Sequence, residues 1–330
     1  MAQLLTTIYG NMTSNDLIHD AEKAVNVLVL QPEVDAKRIS IIGHSEGGAI
    51  ATRIAIYNPM TKIKNIVLMA ARIINTHDLM YYTFVGLPLE YAKQVLDKNH
   101  TGSISIQQVV NDPIFGQYLA FSLRNNQNYG TNATITNTTN MGALSNLLFS
   151  EKSSNSNSTL ARHVVGSTVT GIINIDRQLK PMLERTFESA FKVSIGEIHS
   201  NKCEMPTLCP IYFKSVVSLK PTLNIINNVS SSTGILILHG QNDSGSPVQQ
   251  AFLLQQTLTD KRHPDHTLIT YPNLGHFFYP SSEWQTRYGP IPEYVLADLY
   301  SWLEAHSGFT NYSAAAAHVT STPYSNSTAK

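Results

Sequence analysis

Residues 38–50 read RISIIGHSEGGAI. The segment 38–43 is short and continuously apolar around a single serine, the pattern of a strand buried on both faces. It runs into Gly43-His44-Ser45-Glu46-Gly47, and GGAIATRIAIY (47–57) continues at helical spacing until Asn58-Pro59 stops it. A G-x-S-x-G between a buried strand and a helix describes one particular turn. The turn is so tight that its flanking residues must be nearly free of side chain, which Gly43 and Gly47 supply and Gly48 extends. The Ser45 hydroxyl is then held clear of the sheet, and the helix behind it aims backbone N–H groups at any oxyanion that forms. A glycine-rich turn with an incidental serine would not need a buried strand before it and a helix after it.

Outward from this turn the chain alternates helices and strands. Residues 14–30 form an amphipathic helix, capped by Ser14 or Asn15, with Leu17, Ala21, Ala24, Val25, Leu28 and Val29 at helical spacing. IKNIVLMAA (63–71) is a second buried strand. The rhythm resumes after a long interruption with TGILILHG (233–240), a helix near 247–258, TLITY (267–271) and a helix over 292–306. This alternation predicts an α/β fold with a mostly parallel sheet and right-handed crossovers. The expected divisions are a first core segment 1–74, an insertion 75–225, a second core segment 226–307 and a disordered polar tail 308–330. Within the insertion, the Asn/Ser/Thr-rich stretch Asn125–Thr159 reads as mobile loop. No internal repeat is present.

A serine becomes a nucleophile only with a base beside it, and that base needs an acid to orient it. Functional groups of open parallel sheets gather beyond the carboxyl ends of the strands. Asp243 follows directly after the 233–240 strand, and His276, in YPNLGHFFYP, follows the 267–271 strand. Ser45, Asp243 and His276 are thus the candidate nucleophile, acid and base. His239 lies at the end of a strand, while His263, His266, Asp260 and Asp265 fall in a polar loop before one. These read as the poorer candidates.

The stretches 14–72 and 233–306, and PEVDAKRISIIGHSEGG in particular, resemble the carboxyl-terminal half of the α/β-hydrolase superfamily, nearest its esterase and prolyl-oligopeptidase-like branches. The resemblance implies that Ser45 attacks, His276 shuttles the proton, Asp243 orients it, and the Glu46 N–H donates to the oxyanion. Residues 75–225 would be the cap. A small-molecule ester or peptide would be cleaved through an acyl-enzyme, with no metal or organic cofactor. One departure stands out: about a dozen residues precede the first helix, so the expected sheet is amino-terminally truncated to four strands. The nucleophile strand then lies at an open edge that invites self-association. A catalytically impaired hydrolase-fold fragment, or an exported binding protein on this scaffold, is the alternative of another class.

The 330 residues carry 23 Lys+Arg and 23 Asp+Glu, which gives no electrostatic reason to expect nucleic acid or an anionic membrane. No apolar run is long enough for a membrane span, and the amino terminus lacks the basic and apolar regions of a signal peptide. Nine N-x-S/T triplets, among them Asn11, Asn132, Asn157 and Asn326, lean towards export. At another of the nine, Asn242 beside Asp243, a glycan would crowd the site, so Asn242 is expected to be unmodified. Cys203 and Cys209 allow either a small disulfide loop or two free thiols. DKNHTGSISIQQ (97–108) has the spacing of a calcium-binding loop: Asp97, Asn99, Thr101 and Ser105 stand at ligand positions and Gly102 at the turn. Gln108 replaces the bidentate glutamate, so binding is expected to be weak or absent, and a plain capped turn is the competing reading. Phe277-Phe278-Tyr279 would wall the acyl pocket or simply pack in the core.

Overall fold

A computed structural model of the chain describes residues 12–124, 164–165, 168–169, 171–195 and 210–307. The polar stretch 125–159, Cys203 and Cys209, the tail 308–330, and the sequons at Asn11, Asn132, Asn157 and Asn326 lie outside the described residues.

Helix α1 (Ser14–Val29) begins at Thr13, whose hydroxyl accepts from the Asp16 N–H while the Asp16 carboxylate accepts from the Thr13 N–H. The reciprocal capping box moves the cap one residue ahead of the expected Ser14 or Asn15. Strand β1 (Ser40–His44) leads into α2 (Glu46–Tyr57) and then β2 (Asn65–Met69). After the insertion come β3 (Gly234–Gly240), α3 (Gln249–Asp260), β4 (His266–Tyr271) and α4 (Glu293–Ala305). The four strands pair in the order β1-β2-β3-β4, all parallel, with Gly43 opposite Leu68, Leu68 opposite Ile237, and Ile237 opposite Leu268.

The period-2 alternation of side chains sorts the sheet into two cores. Ile66, Leu68, Ile235 and Ile237 face α2, α3 and the apolar stripe of α1. Val67, Met69, Leu236 and Leu238 face the other way, onto Tyr271, Phe278, Val295 and Trp302. The central strands β2 and β3 are buried at every residue, as continuous apolar runs require. Strand β1 departs from that expectation. Ser40 is exposed and Ile42 is 50 % exposed, because among the described residues no strand pairs with the outer edge of β1.

The segment between β2 and β3 builds a third core from Val85, Tyr91, Leu96, Ile104, Phe115, Ile173, Phe187 and their neighbours. Its helical run from Thr76 contains two π-helical turns, Tyr82–Gly86 and Ala92–Leu96. Its short strands Ser103–Ser105 and Ile172–Asn174 pair antiparallel with Ile104 opposite Ile173. Among the described residues no helix is long and apolar enough to cross a membrane.

Candidate active site

Ser45 sits between β1 and α2 with φ 54° and ψ −115°, a conformation that non-glycine residues rarely adopt. The turn is pinned to the end of β2: the Ser45 N–H donates to the Met69 carbonyl at 2.9 Å, and the Ser45 carbonyl accepts from the Arg72 N–H at 3.2 Å. The glycines around it do unequal work. A Cβ on Gly43 would lie 2.2 Å from the Gly47 carbonyl oxygen, and one on Gly48 would lie 2.5 Å from the Ala71 Cβ. At Gly47 a Cβ would meet nothing within 4 Å, so the steric need falls on Gly43 and Gly48 and not, as expected, on Gly47.

Asp243 follows the carboxyl end of β3 in a tight turn whose own backbone holds the side chain. Its Oδ1 accepts from the Gly245 N–H at 2.8 Å and the Ser246 N–H at 2.7 Å. His276 stands in the loop after β4. That loop is drawn against β3 because Gly240 has no side chain: a Cβ there would lie 2.3 Å from the Leu274 carbonyl oxygen. Its neighbour Asn242 donates from N–H to the same Leu274 carbonyl and from Nδ2 to the Ser281 carbonyl.

The three side chains meet. His276 Nδ1 lies 2.9 Å from Asp243 Oδ2, and His276 Nε2 lies 3.1 Å from Ser45 Oγ. With Nδ1–H donating to the carboxylate, Nε2 is left to accept the serine proton. The Asp243 side chain is fully buried while that of His276 is 13 % exposed, so the carboxylate is sealed and the imidazole stays within reach of a substrate. Burial by itself would raise the Asp243 carboxyl, but hydrogen bonds from His239 and His276 outweigh it and hold the group below its ordinary value. Glu46 is the first residue of α2, so its N–H has no acceptor within the helix and lies at the positive end of the helix dipole.

The competing candidates fall elsewhere, with one exception. Asp265 pairs with His306 at 3.2 Å, His263 Nε2 lies 3.3 Å from the Ser230 carbonyl, and His266 Nδ1 lies 2.8 Å from the His263 carbonyl. The exception is His239, whose Nε2 is 3.3 Å from Asp243 Oδ2. Strand position argued against it; the i, i+4 return of the turn onto the strand end is visible only in three dimensions. His44, which no sequence pattern singles out, also joins the site. Its Nε2 donates to the His276 carbonyl at 2.8 Å and its ring lies 4.9 Å from the His276 ring. Burial holds the His44 ring below the ordinary imidazole value, which favours that neutral donor. Phe278 is fully buried in the sheet core, whereas Phe277 lies beside His276 with its ring tilted against that of Tyr288 at 4.5 Å.

The insertion reaches this site at Glu46. The Glu46 carboxylate accepts from the Tyr212 hydroxyl at 2.6 Å and pairs with Arg72 at 3.3 Å. A second polar tie runs from the Tyr118 hydroxyl to the Trp284 carbonyl at 2.6 Å. Among the described residues no group of three or more His, Cys, Asp and Glu is arranged to hold a metal ion.

Two family models match the chain, one on either side of residues 124–208. Residues 21–123 match the carboxyl-terminal domain described as BAAT / acyl-CoA thioester hydrolase, and residues 209–310 match the prolyl oligopeptidase family. No curated protein matches the chain. Among solved structures, it is similar to a carboxylesterase of the thaumarchaeon Nitrososphaera gargenis, with 13 % identity, a TM-score of 0.39, and coverage of 90 % of this chain and 74 % of that one. It is also similar to an alpha/beta hydrolase, GrgF, from Penicillium sp. sh18, with 14 % identity, a TM-score of 0.41, and coverage of 90 % and 74 %. A thermophilic esterase from Thermogutta terrifontis gives 12 % identity, a TM-score of 0.40, and the same two coverages. At such TM-scores the likeness is loose, and the weight rests on the two family matches, each to a hydrolase family. The chain is a serine hydrolase of the α/β-hydrolase superfamily.

Proposed function

We propose that this hydrolase cleaves carboxylic esters through an acyl-enzyme, with Ser45 as nucleophile, His276 as general base and then acid, and Asp243 as the orienting carboxylate. The observation that carries the reading is the continuous hydrogen-bonded line from Asp243 Oδ2 through His276 to Ser45 Oγ, at 2.9 and 3.1 Å. As Ser45 Oγ attacks a substrate carbonyl carbon, its proton passes to His276 Nε2. The imidazolium so formed is stabilised by the buried Asp243. Charge gathers on the former carbonyl oxygen, where the Glu46 N–H at the start of α2 donates. His276 then gives the proton to the leaving alcohol. Water, deprotonated by His276, releases the acid in the reverse sequence and restores Ser45.

The same groups would serve a thioester or an amide, the bonds named by the two matching families. The ester assignment is therefore tested by turnover of short p-nitrophenyl acyl esters against acyl thioesters and peptide p-nitroanilides. Ester turnover in excess of the others is expected, and a preference for peptide anilides would overturn it. The residue assignment is tested with a fluorophosphonate probe. Ser45 is expected to be labelled in the folded protein, with labelling lost in Ser45→Ala. Folded protein that is not labelled would instead support a scaffold that does not catalyse.

A further inference from the structure

A second histidine rests on the Asp243 carboxylate. His239, one residue from the end of β3, has a side chain only 1 % exposed. Its Nε2 lies 2.7 Å from the Ser246 carbonyl oxygen and 3.3 Å from Asp243 Oδ2. Both neighbours are acceptors, so Nε2 carries the proton; its hydrogen bond goes to the Ser246 carbonyl, and Asp243 Oδ2 is a longer second contact of the same N–H. The ring thus spans the whole turn from the strand end to Ser246, and Asp243 is caught inside it. Two backbone N–H groups hold Oδ1, and the two histidines approach Oδ2 from either side.

We propose that His239 is a positioning residue for hydrolysis: its Nε2–H, bonded to the Ser246 carbonyl, ties the turn that carries Asp243 to the end of β3 and so keeps the carboxylate against His276 Nδ1, and at 3.3 Å from Oδ2 the same N–H takes up part of the carboxylate charge. The proposal rests on the reading of Asp243 as the acid of the triad. The carboxylate is held by the N–H groups of its own turn, so a turn that shifts carries the acid away from Nδ1 and leaves His276 free to take the wrong tautomer. The neighbours that hold a reactive group in place govern rate, typically by 10–100-fold when removed. The buried site also makes the charge-sharing felt. Without the His239 donor the carboxylate facing His276 carries more of its charge, which favours the imidazolium. The titratable groups facing this pair are His44 against His276 and Tyr82 on the insertion side, whose hydroxyl is pushed up to about 12 by burial and then by Asp243.

The test is steady-state hydrolysis of a p-nitrophenyl ester by the full chain carrying His239→Leu, His239→Gln or Asp243→Asn. Folding of each is checked by circular dichroism. For His239→Leu a fall in kcat of about 10–100-fold is expected. KM should stay within about threefold, and the acid limb of kcat/KM should move to higher pH. His239→Gln places an amide N–H near the lost Nε2 and is expected to restore kcat to within about fivefold, a rescue that simple filling of space by leucine cannot give. If leucine does not fold there, the glutamine variant and its acid limb still decide: a glutamine enzyme impaired 100-fold overturns the proposal. A folded leucine variant with unchanged kcat and an unmoved acid limb overturns it too. Asp243→Asn separates the two readings. Collapse of activity there with His239→Leu unaffected sinks the role of His239 alone, whereas an active Asp243→Asn sinks the role of Asp243 and with it this proposal.

Discussion

One methyl group separates two kinds of glycine in the nucleophile turn. A Cβ on Gly43 would sit within 2.2–2.6 Å of three backbone atoms of Gly47 and Gly48, where only movement of the strand or helix could relieve it. On Gly47 the same atom points into open space at the start of α2. Gly43→Ala is therefore expected to destabilise the fold by on the order of 3 kcal/mol. Gly47→Ala should be neutral or gain up to about 1 kcal/mol from the helical preference of alanine. Urea unfolding of the two variants checks this, and equal losses would mean that the turn is held by something other than the steric contact at Gly43. At this scale the sequence is a good guide to groups that lie past strand ends, because such positions have one place to go. Ser45, Asp243 and His276 could be picked out in that way. It is a poor guide to His239 and His44, whose partners are a carboxylate and a carbonyl reached only after the chain has folded back on them.

Elements were legible where their pattern has one physical meaning. Continuous apolar runs in β2 and β3 mean burial on both faces, and the helices α2, α3 and α4 fall within a residue or two of their periodic segments. The run in β1 looks the same, yet no described strand covers its outer edge; periodicity cannot tell a middle strand from an outer one, and it is the count of strands that puts β1 at the edge. The loop 97–108 shows how a pattern of ligands can be put to another use. Asp97 accepts from the Thr101 N–H, the Thr101 hydroxyl and the Gly102 N–H, at 2.9, 3.0 and 2.7 Å. Those bonds hold the Asp97 carboxyl below its ordinary value against the opposing effect of burial. Ser105 and Gln108 form a capping box on the following helix, and Gln108 Nε2 reaches back to the Leu96 carbonyl. The oxygens that a cation would need are occupied by the chain's own donors, and one carboxylate is too little charge to displace them. Millimolar calcium is expected to give no heat by calorimetry and no change in Tm, while Asp97→Ala should lower Tm with or without calcium. A calcium-dependent rise in Tm that Asp97→Ala abolishes would show that the loop is a cation site.

Across the whole molecule the buried apolar residues form separate cores, and this makes the insertion's independence measurable. The insertion's core draws on residues from Val85 to Phe213, while the two cores of the sheet draw on residues 39–73 and 226–302. What joins them is a small set of contacts: Tyr212 on Glu46, Tyr118 on the Trp284 carbonyl, the Trp284 ring 5.4 Å from Tyr91, and Tyr212 and Val216 packed on Met12 and Leu17. None of this could be anticipated from the sequence, since the insertion mixes short helices, π-helical turns and two-residue strands that have no single period. Contacts within each core are many and contacts between them few, so a cavity in one should loosen that one first. Phe187 is 2 % exposed in the insertion's core, and Phe187→Ala should cost about 3–5 kcal/mol there. Hydrogen exchange read by mass spectrometry is expected to show faster exchange over 76–118 and 171–191, with β1 to β4 still protected. Leu236→Ala, in the sheet, should instead release both parts, because the insertion is anchored on the sheet's ends. Ester turnover should fall in Phe187→Ala as the hold of Tyr212 on Glu46 slackens, even though Ser45, Asp243 and His276 stay on an intact sheet. If Phe187→Ala deprotects the sheet strands as much as the insertion, the molecule unfolds as one unit and the separate cores have no separate stability.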